Sequence, residues 1–127
     1  MPKKSLLIVD HDAYYAGIYA RRFETAGWKV WVEENIASAR KRLKRCSPDV
    51  VMTDLDPIDE VLGFLRELRA DPKMLKTHQI ALTKFGNRKT MQEALGAGVD
   101  TYLLKGNFAP SEAVKKVKRF LEEKTSV

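Results

Sequence analysis

The chain has 127 residues, of which 44% are hydrophobic and 31% charged. This length and balance are typical of one globular domain with a core around a single sheet, so we expect residues 1–127 to form one domain. No apolar stretch approaches the roughly 20 residues of a membrane helix, and the N-terminal run is too short for a signal peptide. The single cysteine, Cys46, fits a reducing compartment, so we expect a cytoplasmic location.

The formal net charge is +6, and the positive residues concentrate in ARKRLKR at 39–45 and VKKVKRF at 114–120. Basic helical faces attract acidic proteins, nucleic acids or anionic lipid. No pattern of a nucleic-acid-binding module accompanies the charge. We interpret both segments as solvated helix faces, with nucleic-acid binding as a less favoured alternative and with no insertion into a membrane.

Five short runs of β-forming residues alternate with helical patterns along the chain. The predicted strands are 6–9, 29–33, 50–53, 80–83 and 101–104. The predicted helices are 13–26, 36–45, 59–70, 88–97 and 110–123. In the first helix we expect Ile18 and Phe23 to face inward. Asp12, Asn35 and Asp59 are candidate N-caps, and His78, just before the fourth strand, is expected at the surface.

This alternation predicts parallel βαβ units, and therefore a doubly wound α/β domain. The first, third and fourth strands are almost entirely apolar, as in strands covered on both faces, whereas the second alternates and suits an edge. In such sheets, ligands bind outside the carboxyl ends of the strands. The polar residues at those ends are therefore the candidate site residues.

Acids, a hydroxyl and lysines follow the predicted strands. In chain order they are Asp10, His11, Asp12, Asp54, Asp56, Thr83, Lys84 and Lys105. Clustered carboxylates repel one another unless a cation neutralises them, and carboxylate oxygens suit Mg²⁺, which commonly pairs with phosphate. Aspartate, Mg²⁺ and lysine together are typical of phosphoryl transfer to a carboxylate nucleophile.

Four segments, LLIVDHD, PDVVMTDLDP, IALTKFG and GVDTYLLK, resemble the signature segments of response-regulator receiver domains, and the resemblance covers residues 4–123. It implies a flavodoxin-like five-stranded parallel sheet of order 2-1-3-4-5 with five helices. It also implies that Asp54 accepts a phosphoryl group from a sensor histidine kinase, a phosphotransfer protein or a small phosphodonor.

The resemblance further implies that Asp10 and the backbone carbonyl of Asp56 bind Mg²⁺. Thr83 is expected to hydrogen-bond the phosphoryl oxygen, Lys105 to pair with it, and Tyr102 to act as the aromatic switch. The helix 4–strand 5–helix 5 face, residues 88–120, is expected to bind a downstream target protein. Such a stand-alone receiver signals by changing its affinity for partners and is not an enzyme beyond self-phosphorylation and autodephosphorylation.

The sequence departs from the family pattern at several positions. His11 replaces the usual second acid, which leaves three interpretations open: weak Mg²⁺ binding, compensation by Asp12 or the Asp56 side chain, or preference for a softer metal such as Mn²⁺. Gly106 replaces the proline after the lysine, which predicts a looser loop and a less firmly placed Lys105. Lys84 and Phe85 stand at positions that modulate the site, where Lys84 either crowds the phosphoryl group or contacts it.

Two alternatives stay open at this point. A degenerate receiver with the same fold would act as a phosphorylation-independent docking module for proteins, which His11, Lys84 and Gly106 favour. A haloacid-dehalogenase-type phosphatase is less favoured. The segment VVMTDLDPI resembles its nucleophile motif, but Ile58 stands where Thr or Val is expected.

Overall fold

The computed structural model describes residues 3–84, 86–106 and 109–125. Its strands are β1 (Ser5–Val9), β2 (Lys29–Glu33), β3 (Val50–Asp54), β4 (His78–Thr83) and β5 (Thr101–Leu104). Its helices are α1 (Ala13–Thr25), α2 (Ile36–Leu43), α3 (Ile58–Ala70), α4 (Arg88–Gly96) and α5 (Pro110–Thr125), with a 3-10 turn at Pro72–Met74. Within these residues, no helix has both the length and the apolar content to cross a membrane.

The five strands form one parallel sheet in the order β2-β1-β3-β4-β5. This confirms the predicted doubly wound α/β fold with five helices, and it places the alternating strand β2 at an edge. Because all strands run in the same direction, their carboxyl ends meet at one edge of the sheet and their amino ends at the other. We call these the carboxyl edge and the amino edge.

The core lies in two layers, one on each face of the sheet. Successive side chains of a strand point to opposite faces, so Leu7 and Val9 join the layer under α2, α3 and α4. Leu6 and Ile8 join the layer under α1 and α5. Both faces are therefore covered, which explains why β1, β3 and β4 are almost entirely apolar.

Two expectations about individual positions differ from the structure. β4 begins two residues earlier than predicted, because His78 pairs in register with Val50, and His78 is buried against the ring of Phe120 instead of lying at the surface. In α1, Ile18 is only half-buried. The buried positions of that helix are Ala16, Tyr19, Ala20 and Phe23. The buried face of α1 therefore differs from the predicted one at residue 18.

The predicted helix caps are confirmed at two of three helices. The Asp12 side chain accepts a hydrogen bond from Tyr15 N at the start of α1, and that of Asn35 accepts one from Ser38 N at the start of α2. Asp59 is not a cap, because α3 begins at Ile58 after Pro57, which makes no side-chain capping bond. Asp59 instead lies in the first turn of α3, where its negative charge interacts favourably with the positive end of the helix dipole.

Candidate functional site at the carboxyl edge

Four polar residues lie where strands end at the carboxyl edge. Asp10 directly follows β1, Asp54 is the last residue of β3, Thr83 the last of β4, and Lys105 directly follows β5. All four are at least nine-tenths buried. The parallel register of the strands brings these ends together. One further backbone bond extends the pairing of β4 with β5, since the Lys105 N–H donates to the Thr83 carbonyl at 2.8 Å.

The ammonium group of Lys105 joins the two buried carboxylates. Its Nζ lies 2.7 Å from Asp10 Oδ2 and forms a second ion pair with Asp54 Oδ2. The other oxygen of each carboxylate accepts a backbone N–H from two residues further along. Asp12 N donates to Asp10 Oδ1 at 2.9 Å, and Asp56 N donates to Asp54 Oδ1 at 2.8 Å. Both carboxylates are thereby fixed in orientation.

Burial and charge act in opposite directions on this cluster. Burial raises the pKa of Asp10, the nearby Asp54 charge adds to the rise, and the bonds from Lys105 and Asp12 only partly oppose it. Burial favours the neutral form of Lys105, but the bonds to Asp10 and Asp54 outweigh burial and raise the Lys105 pKa above its ordinary value. The surroundings therefore favour the charged form of Lys105 and disfavour the ionised form of Asp10.

A metal ion fits beside the same carboxylates. One ligand atom from each of Asp10, His11 and Asp54 lies within 4.8 Å of the other two. The His11 side chain is 57% exposed, and its Nδ1 lies 3.9 Å from Asp10 Oδ1. Two hard oxygens and one imidazole nitrogen form a donor set that suits Mg²⁺ less well than a transition metal such as Mn²⁺.

Asp54 lines two cavities, which also share His11 and Asp56. The smaller, about 120 Å³, is lined by acids and His11, including Asp10 and Asp56. The larger, about 290 Å³, is lined by Thr83 and Lys84 together with His11 and Asp56. The smaller cavity therefore offers mainly acidic groups, while the larger adds a hydroxyl and an ammonium that can bind an anion.

The remaining predicted site residues surround this centre. Lys84 is exposed, and Tyr102 is half-buried against the core layer under α2, α3 and α4. Gly106 has a φ of +86°, a conformation that glycine adopts without strain. The two ion pairs fix the Lys105 ammonium despite the glycine that follows it. Phe85 lies outside the described residues.

Tyr15 is a neighbour of Lys105 that was not among the predicted site residues. The Lys105 Nζ lies 5.2 Å from the centre of the Tyr15 ring, within the range of a cation–π interaction. The Tyr15 ring also stacks on Tyr19, with the ring centres 5.6 Å apart. The only signal in the sequence is the apolar spacing of α1, which predicts that Tyr15 is near the core but not that it meets Lys105.

Comparison with known proteins gives matches along most of the chain. A family model of the response regulator receiver domain matches residues 6–118. The acid tolerance regulatory protein ActR of Rhizobium meliloti is 34% identical over 108 residues, 82% of this chain and 53% of ActR. The phosphate regulon transcriptional regulatory protein PhoB of Pseudomonas aeruginosa is 30% identical over 122 residues, 95% of this chain and 53% of PhoB.

The chain therefore spans about half the length of these two relatives. Among solved structures, a response regulator from Thermotoga maritima has a TM-score of 0.86 at 21% sequence identity. The match covers 95% of this chain and 99% of that one, which shows that the two share a fold.

Proposed function

The chain belongs to the response regulator receiver domain family of two-component signalling, and from this premise we propose that Asp54 is its phosphoacceptor. One observation carries the proposal. The Asp54 carboxylate is fixed by Lys105 and by a backbone N–H, and it lines both an acidic cavity and a cavity to which Thr83 and Lys84 contribute. This is the arrangement that a carboxylate nucleophile for phosphorus needs.

The proposed reaction is transfer of a phosphoryl group from a phosphohistidine. A carboxylate oxygen of Asp54 attacks phosphorus, the P–N bond breaks, and the leaving imidazole takes up a proton as the acyl phosphate forms. The transferred phosphoryl group then lies near Thr83, whose hydroxyl donates a hydrogen bond to a phosphoryl oxygen. The ammonium of Lys105 pairs with a phosphoryl oxygen, and Lys84 supplies a second contact. Hydrolysis of the acyl phosphate by the protein itself is part of the proposal.

We propose that the metal is bound by Asp10, Asp54 and the backbone carbonyl of Asp56, with His11 as a fourth donor. Held by these residues, Mg²⁺ or Mn²⁺ would supply positive charge against the phosphoryl oxygens. His11 decides between the two metals, because a neutral imidazole binds Mn²⁺ better than Mg²⁺.

The proposed partners follow from the same role. A sensor histidine kinase or a phosphotransfer protein supplies the phosphoryl group, in the cytoplasm, where such donors act. The signal is read by a target protein at the helix 4–strand 5–helix 5 face, residues 88–120. Tyr102, half-buried beside this face, is the proposed switch residue that turns when Thr83 binds the phosphoryl group.

The test is phosphorylation by acetyl phosphate, with Mg²⁺ and with Mn²⁺ in separate samples. We expect the intact mass to rise by one phosphoryl group, with Mn²⁺ supporting the reaction at least as well as Mg²⁺. Asp54→Asn removes the nucleophile and abolishes the gain. Asp59→Asn, in the first turn of α3, is the matched control and retains it. A His11→Asp variant that shifts the preference toward Mg²⁺ supports the metal role of His11.

A second candidate is a docking module that works without phosphorylation. Its support is the exposed His11 in place of an acid and the ion pairs that already satisfy both carboxylates through Lys105. No gain of mass with either metal, in a sample that is folded by circular dichroism, would contradict the phosphoacceptor proposal and leave this candidate.

A further inference from the structure

A large cavity lies far from Asp54, at the amino edge of the sheet. It measures about 740 Å³ and is bounded by the end of α1, by α5 and by residues that precede β1, β3 and β4. Strands of five residues rise about 3.3 Å per residue, so roughly 16 Å of sheet separates it from the carboxyl edge. We call it the amino-edge cavity, and its volume is in the range of small-molecule sites.

Positive charge converges on the amino-edge cavity from four separate parts of the sequence. The cations that line it are Lys4, Arg22, Lys76, Lys115 and Lys118. All five are exposed. Within the described part of the chain, none of them forms an ion pair with a carboxylate. Folding thus brings like charges together, and an anion in the cavity would relieve their repulsion.

The acids near the cavity do not balance these cations. Asp49 and Glu122 are the two acids that line it, against five cations. The Asp49 carboxylate is already hydrogen-bonded within the protein: its Oδ2 accepts from Ser5 N at 2.8 Å and from Ser5 Oγ at 3.1 Å. The lining therefore carries a clear excess of positive charge.

Apolar groups also line the cavity. Trp28, Val114 and Leu121 contribute to its wall. The Trp28 indole is held edge-on against Phe23, with the ring centres 5.2 Å apart, so its position is fixed. A lining that combines exposed cations with an indole suits a ligand that has both an anionic end and an apolar or aromatic body.

We propose that the amino-edge cavity binds a small organic phosphate with an apolar or aromatic body, of the chemical class of a nucleotide. The phosphate groups meet the lysines and Arg22, and the apolar body packs against Trp28. The site is separate from Asp54 and does not depend on the proposed phosphorylation. A ligand there contacts both α1 and α5, so it would stabilise the packing of these two helices.

The test uses fluorescent N-methylanthraniloyl-ATP as the probe, with chelator present so that no divalent metal occupies the carboxyl edge. A Trp31→Phe background leaves Trp28 as the one tryptophan, and energy transfer from Trp28 to the probe reports binding. We expect saturable binding that weakens as salt rises. Lys115→Glu together with Lys118→Glu should weaken it about tenfold or more, because two attractive charges become repulsive.

Two controls separate this site from general electrostatics and from the carboxyl edge. Lys41→Glu together with Lys44→Glu makes the same change in net charge at exposed positions at the C-terminal end of α2 and should leave binding unchanged. Asp54→Asn should also leave it unchanged, whatever it does to phosphorylation. Inorganic phosphate should displace the probe only at much higher concentration, since it lacks the apolar body.

Three results would overturn the proposal. They are the absence of saturable energy transfer from Trp28, equal weakening by the α2 and α5 double variants, and displacement by inorganic phosphate as readily as by unlabelled ATP. None of them bears on phosphorylation of Asp54, so the two proposals fail independently.

Discussion

Lys105 is the residue on which the carboxyl edge depends most directly. Its ammonium forms ion pairs with Asp10 and Asp54 and lies 5.2 Å from the centre of the Tyr15 ring. The residue that follows it, Gly106, adds no side chain that could restrain it. The Tyr15 ring therefore provides a restraint on Lys105 from α1, which makes Tyr15 a positioning residue for the ammonium.

Replacing Tyr15 tests this restraint. Tyr15→Leu removes a cation–π contact worth about 0.5–2 kcal/mol, so we expect phosphorylation by acetyl phosphate to slow several-fold and the Lys105 pKa to fall in an NMR titration. Tyr15→Phe keeps a ring and should restore both. Tyr14→Leu is the control, because Tyr14 is 78% exposed. Unchanged Lys105 titration in Tyr15→Leu would show that the ring does not position the ammonium.

Asp10 should limit the stability of the metal-free protein. Its pKa is raised by burial, so the folded state binds this proton more tightly than the unfolded state and stability falls as pH rises from the ordinary value of 3.8 through the folded pKa. Asp10→Asn removes the charge and should raise the free energy of unfolding at pH 7.

Urea denaturation with chelator present, at pH 7 and at about pH 4, measures this effect. The advantage of Asp10→Asn should shrink toward pH 4, where Asp10 takes up its proton in the folded state. A variant that is less stable than the parent at pH 7 would mean that the ion pair with Lys105 outweighs burial, contrary to the raised pKa.

Two glycines, one inside helix α1 and one just after it, have opposite roles. Gly27 follows the C-terminal cap and has a φ of +95°, whereas Gly17 lies inside the helix, where an added Cβ would meet no atom of another element within 4 Å. Gly27→Ala should cost about 1–2 kcal/mol, since an L side chain is strained at positive φ. Gly17→Ala should gain about 0.5–1 kcal/mol. Urea denaturation of both variants gives the comparison, and equal losses would contradict it.

The elements were predictable from the sequence because their signals are local. Apolar runs of four to six residues and the caps Asp12 and Asn35 lie within a few positions of the structure that they determine. The errors arise where tertiary contacts override polarity. His78 and Gln79 are polar in sequence, yet both are buried in β4 because their strand pairs with β3 in the middle of the sheet.

The site was predictable to the extent that the sheet determines it. Once the strands are parallel, Asp10, Asp54, Thr83 and Lys105 must end at one edge. Their individual bonds were not predictable, because the ion pairs of Lys105 and its contact with Tyr15 join residues between 51 and 95 positions apart. Such contacts depend on side-chain directions that the spacing of residues does not encode.

At the scale of the whole molecule, Arg69 connects parts of the chain that local structure does not join. Its guanidinium donates to the Gly98 carbonyl at 2.5 and 3.1 Å and to Asp100 Oδ2 at 3.1 Å, so it ties α3 to the turn before β5. The same Asp100 oxygen accepts from Gln79 N in β4 at 2.8 Å. This network therefore links the edge strand β5 to α3.

Removal of Arg69 should therefore loosen the fold as a whole. Arg69→Met keeps most of the stem but takes the guanidinium donors from the Gly98 carbonyl and the cation from Asp100, which should cost about 1–3 kcal/mol in urea denaturation. Arg40→Met is the control, because the Arg40–Glu67 pair is exposed on both sides and should give no measurable change. Similar losses for both variants would show that the network has no special weight.

The parallel direction of the strands has one further consequence for the molecule in solution. At the carboxyl edge the acids Asp10, Asp54 and Asp56 outnumber Lys84 and Lys105, whereas the amino-edge cavity has five cations and two acids, so the two edges of the sheet differ in charge. This difference separates charge along the direction of the strands. The field of a charged partner should therefore orient the protein before the two make contact. The amino edge turns toward an anionic partner, and the carboxyl edge turns toward a cationic one.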